Sequence, residues 1–204
     1  MNDADPPVLI EIIEATGIIR FNRPEKRNSL SQDVLGQLER ALASLLPRDN
    51  LAAMIFTGTD DVFASGADIR ELAQLNAETA RDFAARGQSI LNCIANARQK
   101  TIAAINGYCM GGALDLVLAC DVRIASKNAV FAHPGANLGI ITGWGGTQRL
   151  PRLIGQARAL ELFMTARRIE SNEALEFGLI SEIYDPVLER ALQTGRNLAA
   201  DKRG

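Results

Sequence analysis

The stretch Asn106-Gly107-Tyr108-Cys109-Met110-Gly111-Gly112-Ala113-Leu114-Asp115-Leu116-Val117-Leu118-Ala119-Cys120-Asp121 decides the fold class. Before it, residues 101–105 form an apolar run that stops at Asn106-Gly107 and reads as a short strand. The glycines then lead into residues 111–119, a helical run that is apolar except for Asp115. Residues 122–125 read as the next strand. Strand, glycine turn, helix and strand in this order make an α/β pattern.

The same alternation extends in both directions. Upstream, residues 8–13 and 17–21 are two short runs rich in Ile and Val, followed by a polar loop, 22–28, with Pro24 and the cations Arg23, Lys26 and Arg27. Ser31 is a helix cap, and Val34, Leu35, Leu38, Ala41, Leu42 and Leu45 recur at helical spacing as far as Pro47. Residues 51–57 read as a buried strand closed by Gly58. Asp68 caps a helix over 69–75, and 77–97 is a second helical stretch. Downstream, 129–131 is a strand and 135–146 a glycine-rich loop. From 147 onward, helical runs surround one strand at 179–184 and end with a helical pattern over 186–200. No repeat or low-complexity segment interrupts the 204 residues, so residues 1–204 read as a single domain.

Composition narrows the function. Lys plus Arg number 22 against 24 Asp plus Glu, giving a net charge of −2, which argues against a nucleic-acid partner. Charges break every apolar run well before the ~20 residues of a membrane span. The N-terminal residues 1–7 lack the apolar core of a signal peptide. Cys93, Cys109 and Cys120 are odd in number and show no C-x-x-C spacing, so neither a disulfide scaffold nor a metal site is expected, and the compartment expected is the cytoplasm. Gly143-Trp144-Gly145-Gly146-Thr147-Gln148 opens like a dinucleotide fingerprint, but Gln148 holds the place of its last glycine. Gly107–Gly112 has no following Lys-Ser/Thr and is no phosphate loop. The plain reading of these glycines is close backbone approach or positive φ.

Two glycine segments, Phe63-Ala64-Ser65-Gly66-Ala67-Asp68 and 106–112, each lead into a helix. A helix start presents unpaired N–H groups and the positive end of a dipole. Two such groups aimed at one point form an oxyanion hole, suited to chemistry in which a carbonyl becomes an enolate.

Asn106-Gly107-Tyr108 with Gly111-Gly112, then Ala119-Cys120-Asp121-Val122-Arg123, then Gly145-Gly146-Thr147-Gln148-Arg149-Leu150, closely resembles the crotonase family of enoyl-CoA hydratases and isomerases. Asn22-Arg23-Pro24 with Asn28-Ser29-Leu30, and residues 63–70, match as well, so agreement runs from about residue 8 to 184. The resemblance implies a crotonase-like (ClpP/crotonase) spiral of repeated ββα units, assembled as a homotrimer or hexamer. It implies an acyl-CoA thioester substrate, with coenzyme A part of the substrate and no separate cofactor. The thioester oxygen would sit between the amides of Ala67 and Gly112. Asp68, Ile69 and Arg70, with Arg23 and Lys26 in the cationic loop, would contact coenzyme A. The family pattern usually continues past the place where this chain stops, so the expectation is a chain without the C-terminal helices and with a more open acyl pocket.

The chain also departs from the pattern. The first of the family's two catalytic glutamates falls at Asp115, whose reach is shorter by roughly 1.5 Å. The second falls at Gly135, where no acid stands. His133 is the only histidine. Residues two apart in an extended segment face the same side, so His133 points where that missing acid would. Both Asp115 and His133 are therefore candidate catalytic groups, and a lone Asp in an apolar helix is costly without a role or partner. The function expected is an enoyl-CoA hydratase. The alternatives are a double-bond isomerase with one acid/base and a non-catalytic acyl-CoA-binding subunit.

Overall fold

A computed structural model describes residues 6–201. The readings made of residues 1–5 and of the chain end at 202–204 lie outside the described residues. In chain order the elements are β1 (Val8–Ile13), β2 (Thr16–Phe21), α1 (Gln32–Leu45), β3 (Ala53–Thr57), β4 (Val62–Ala64), α2 (Ile69–Leu72) and α3 (Ala77–Ala95). There follow β5 (Lys100–Ile105), β6 (Tyr108–Met110), α4 (Gly112–Ala119), β7 (Val122–Ala125) and β8 (Val130–Ala132), then α5 (Gly146–Ile154) and α6 (Gln156–Thr165). The chain continues through β9 (Ile169–Glu170), α7 (Ser171–Glu176), β10 (Glu182–Ile183) and α8 (Val187–Asp201).

Two sheets divide the strands. One has the order β1-β2-β3-β5-β7-β10 and the other β4-β6-β8-β9. Each strand pair β3/β4, β5/β6 and β7/β8 places its first strand in the large sheet and its second in the small one. Pairing is parallel from β2 through β10 in the large sheet and from β4 to β8 in the small one. This is the spiral of ββα units expected from the sequence.

The core follows the apolar spacing. Val34, Leu35, Leu38, Ala41, Leu42 and Leu45 of α1 are all buried. Each larger side chain among them contributes roughly 1.5–3 kcal/mol on burial. Ser31 Oγ accepts from the Val34 amide at 3.3 Å, as a cap should. Asp121 ties two strands of the large sheet: its Oδ2 accepts from the Thr101 amide at 2.8 Å.

Two readings need correction. The strand expected over 179–184 is only Glu182–Ile183, because Leu179 and Ile180 are buried in the core and are not paired along a strand. The helix expected over 69–75 is the single turn Ile69–Leu72. The three-residue strand β6 lies inside the second glycine segment, and β4 overlaps the start of the first. Their turns pack backbone on backbone: a Cβ at Gly107 would overlap the Asp61 carbonyl, and the Tyr108 amide donates to that same oxygen at 3.0 Å.

Gly107→Ala is therefore expected to lower stability by roughly 1–3 kcal/mol through overpacking. An unchanged urea midpoint would show that the turn yields without cost.

Candidate active site

The two glycine segments meet. Gly66 has φ +87°, and a Cβ there would lie 2.6 Å from the Met110 carbonyl oxygen and 3.0 Å from the Gly112 nitrogen. Only a residue without a side chain permits this approach. The Leu30 amide donates to the Gly66 carbonyl at 2.8 Å, and the Ser65 amide to the Arg27 carbonyl at 3.0 Å, so the first segment is held from behind. The second is pinned by the Gly111 amide, which donates to the Ala132 carbonyl at 2.9 Å. Gly111 adopts φ +54°, ψ −122°, which turns the chain from β6 into α4. Gly112 opens α4, so its amide is one of the donors that the helix itself leaves unpaired.

Gly66, Ala67, Gly111 and Gly112 border one cavity of about 410 Å³. Its remaining wall is mostly apolar and includes Leu72, Phe83, Leu138, Ile141, Trp144 and Phe163. Trp144 is a wedge. A Cβ on Gly87 of α3 would run into its indole, and one on Gly112 would lie 2.5 Å from its Cζ3. Arg149 holds this loop through the Trp144 carbonyl at 3.2 Å and reaches Asn92 Oδ1 at 2.8 Å.

Asp115 and His133 come together. The register pairs Met110 with Ala132, which sets His133 beside Gly111. His133 borders the cavity and is 4% exposed. Asp115, in the first turn of α4, is 0% exposed and does not border the cavity. His133 Nε2 lies 3.3 Å from Asp115 Oδ1 without the alignment of a full hydrogen bond. The Thr142 hydroxyl donates to Asp115 Oδ2. Gly146 has no room for a side chain because a Cβ would overlap Asp115 Oδ1.

Burial pushes Asp115 up to about 6, against the opposing pull of the Thr142 hydroxyl, the Arg149 charge and the nearby amides of Gly146 and Trp144. Burial pushes His133 down to about 4. Near neutral pH the pair is thus a carboxylate beside an uncharged imidazole. The buried thiols Cys109 and Cys120 are both pushed up, Cys120 to about 12, and are inert packing groups.

Gly135 borders the cavity, yet a Cβ there would sit 2.6 Å from the Ile140 carbonyl oxygen. The Ile140 amide also donates to the Gly135 carbonyl at 3.0 Å. The loop is closed against a side chain at the position where an acid is missing. Of the five candidate coenzyme A contacts, Ile69 alone borders the cavity, and it is 59% exposed. Asp68 caps α2, its Oδ1 accepting from the Arg70 amide at 2.8 Å. Arg23 and Lys26 flank and form the turn Pro24–Lys26, outside the cavity wall. Tyr108 borders a second cavity of about 380 Å³ with Arg27 and Arg168. Thr142 and Phe163 escaped the sequence reading. Phe163, on α6, packs on the His133 ring at 4.9 Å, and no local pattern marks that contact.

The family model for enoyl-CoA hydratase/isomerase matches residues 11–203. The chain belongs to the enoyl-CoA hydratase/isomerase family. It is 38% identical over 180 residues to a crotonyl-CoA hydratase of Syntrophomonas wolfei, covering 88% of this chain and 69% of the relative. It is 39% identical over 197 residues to a probable enoyl-CoA hydratase of Mycobacterium tuberculosis, covering 94% and 75%. Among solved structures, Pseudomonas aeruginosa DspI superposes with a TM-score of 0.91 at 32% identity, over 98% of this chain and 83% of that one. An enoyl-CoA hydratase from Bacillus anthracis gives 0.90 at 36% identity, over 95% and 76%. The fold of this family member is therefore crotonase-like. Among the described residues, no helix is long and apolar enough to cross a membrane, and no cluster of three metal-ligating side chains occurs.

The two buried groups contribute to stability in opposite senses. Asp115 titrates above its ordinary 3.8, so its contribution is full below pH 3.8 and is lost as pH rises through 6. His133 titrates below its ordinary 6.5, so its contribution is full above that value and is lost as pH falls through 4. Asp115→Asn removes the first contribution. Its urea midpoint is expected to rise relative to the parent protein's between pH 4 and 6, and the difference to stay constant above pH 6. A difference that ignores pH would contradict a buried, titrating carboxylate.

Proposed function

We propose that this protein hydrates the C2–C3 double bond of an enoyl-CoA thioester. The observation that carries the reading is the convergence of the Ala67 and Gly112 segments on one apolar cavity, with His133 in its wall and Asp115 behind it. The Ala67 and Gly112 amides bind the thioester oxygen and stabilise the enolate that forms when water adds at C3. Asp115 and His133 supply one proton-transfer centre, and the closed backbone at Gly135 leaves no second acid. A single centre then serves both halves of the reaction, taking a proton from water and delivering one to C2.

The acyl chain occupies the space between Leu72, Phe83, Ile141 and Phe163. A volume of about 410 Å³ stands near the low end of small-molecule sites, which run about 300–1,000 Å³. A short chain suits it, and crotonyl-CoA is the substrate to try first. Ile69, exposed at the cavity's edge, offers an apolar contact to the ligand. Asp68 holds the turn that presents Ile69 and Arg70, while Arg70, Arg23 and Lys26 offer cations to the coenzyme A phosphates. No further cofactor enters the reaction. The exposed apolar side chains Leu160 and Met164 on α6 support assembly as a homotrimer or hexamer, and the activity belongs to the cytoplasm.

Proline at 112 would remove one hole donor but would also press on Trp144. The informative pair is therefore Trp144→Phe and the double variant Trp144→Phe/Gly112→Pro. The double variant is expected to hydrate crotonyl-CoA roughly 10²–10³-fold more slowly than the single one. Equal rates in two folded proteins would exclude this hole.

A further inference from the structure

Asp115 occupies the place of the family's acid, yet its carboxylate is sealed behind the cavity wall. His133 and Thr142 both border the cavity and approach Asp115, and of the two only the imidazole can take up and release a proton near neutral pH. The His133 ring borders the cavity, its Nε2 faces Asp115 Oδ1 at 3.3 Å, and Phe163 holds its flank. With Nε2 turned toward the carboxylate, Nδ1 is the nitrogen left for a bound molecule, and no protein group among the described residues hydrogen-bonds to it. The shorter Asp and the imidazole fit together: a side chain withdrawn by about 1.5 Å needs an intermediary to reach the cavity.

We infer that His133 is the group that exchanges protons with the enoyl thioester, and that Asp115 is a positioning residue acting through it. This rests on the hydratase reading. The carboxylate favours the tautomer with hydrogen on Nε2, which leaves the Nδ1 lone pair free as a base. Water gives a proton to Nδ1 as its oxygen bonds to C3. The C2=C3 π pair shifts to the thioester oxygen between the Ala67 and Gly112 amides. The imidazolium so formed is balanced by Asp115. It then returns the proton to C2 as the oxygen lone pair re-forms the C=O bond. One water is added, and nothing is oxidised or reduced.

The other groups facing the pair are few. Cys109 of β6 stays protonated, and Arg149 of α5 favours the ionised carboxylate. Thr142 and Phe163 do not titrate. Near neutral pH Asp115 is ionised, so its loss removes both the counter-charge of an imidazolium formed in the reaction and the acceptor that faces Nε2.

The test uses the full chain, in which His133 is the only histidine, so imidazole ¹⁵N and ¹H resonances need no assignment. In the unmodified protein at pH 8, hydrogen is expected on Nε2. Hydrogen on Nδ1 would overturn the inference without any variant. In Asp115→Asn at pH 8 the preference for hydrogen on Nε2 is expected to be lost, with the Nδ1–H tautomer appearing. A tautomer unchanged from the parent would overturn the role of Asp115. His133→Gln is expected to lower kcat for crotonyl-CoA hydration by roughly 10²–10⁴-fold, while affinity for butyryl-CoA is retained. A parent protein that hydrates crotonyl-CoA together with a His133→Gln protein of equal kcat would overturn the role of His133 and leave the hydratase reading standing. A parent protein that binds butyryl-CoA but hydrates nothing would overturn the hydratase reading, and the proton role with it.

Discussion

The approach of Gly66 to Met110 and Gly112, backbone against backbone, is the constraint from which the site follows. Any side chain at 66 would strike the Met110 carbonyl at 2.6 Å. Because nothing intervenes, two successive ββα units can stack closely enough for β4 to pair with β6 and for both turns to open on the same cavity. The meeting of the Ala67 and Gly112 turns is thus a consequence of how the units stack. The amides that a turn and a helix start leave unused are held in place there without any side chain.

A second constraint acts from behind the cavity. A carboxylate buried in α4 needs partners, since an unpaired buried charge is costly. Thr142 and His133 approach it, and Gly146 must remain without a side chain to leave it space. Trp144, two residues after Thr142, fills the gap above Gly87 and Gly112 and brings that loop against α3 and α4. The loop that lines the cavity is therefore the same loop that satisfies Asp115. A change at either should be felt at the other, because the two sites share partners.

Long periodic segments were readable in advance. The six apolar positions of α1 all turn inward, and the strands from 8 to 13 and 122 to 125 have the bounds that their patterns suggest. Among the short strands, β8 was readable but β4 and β6 were not. β4 and β6 have three residues each, too few to display alternation, and they form because the neighbouring unit offers an edge to pair with. The run at 179–184 failed for the opposite reason. It has strand composition, but Leu179 and Ile180 are drawn into the core after α7, and only two residues pair with β7.

Within the site, local signals marked the two glycine turns before helices and the lone acid Asp115, whereas Ala67, Gly112 and His133 were singled out through the family resemblance. That resemblance also marked the absence of an acid at 135, though not the reason that none fits. Spacing along a chain carries no information on which side chain reaches a cavity and which stops short of it. That Asp115 lies behind His133, that Trp144 wedges between two glycines, and that the Ile140 carbonyl closes position 135 were decided by packing between units far apart in sequence. Local chemistry determined which groups are available. Only the stacking of the ββα units, which sets distances of a few ångströms between segments tens of residues apart, determined which of them face a substrate.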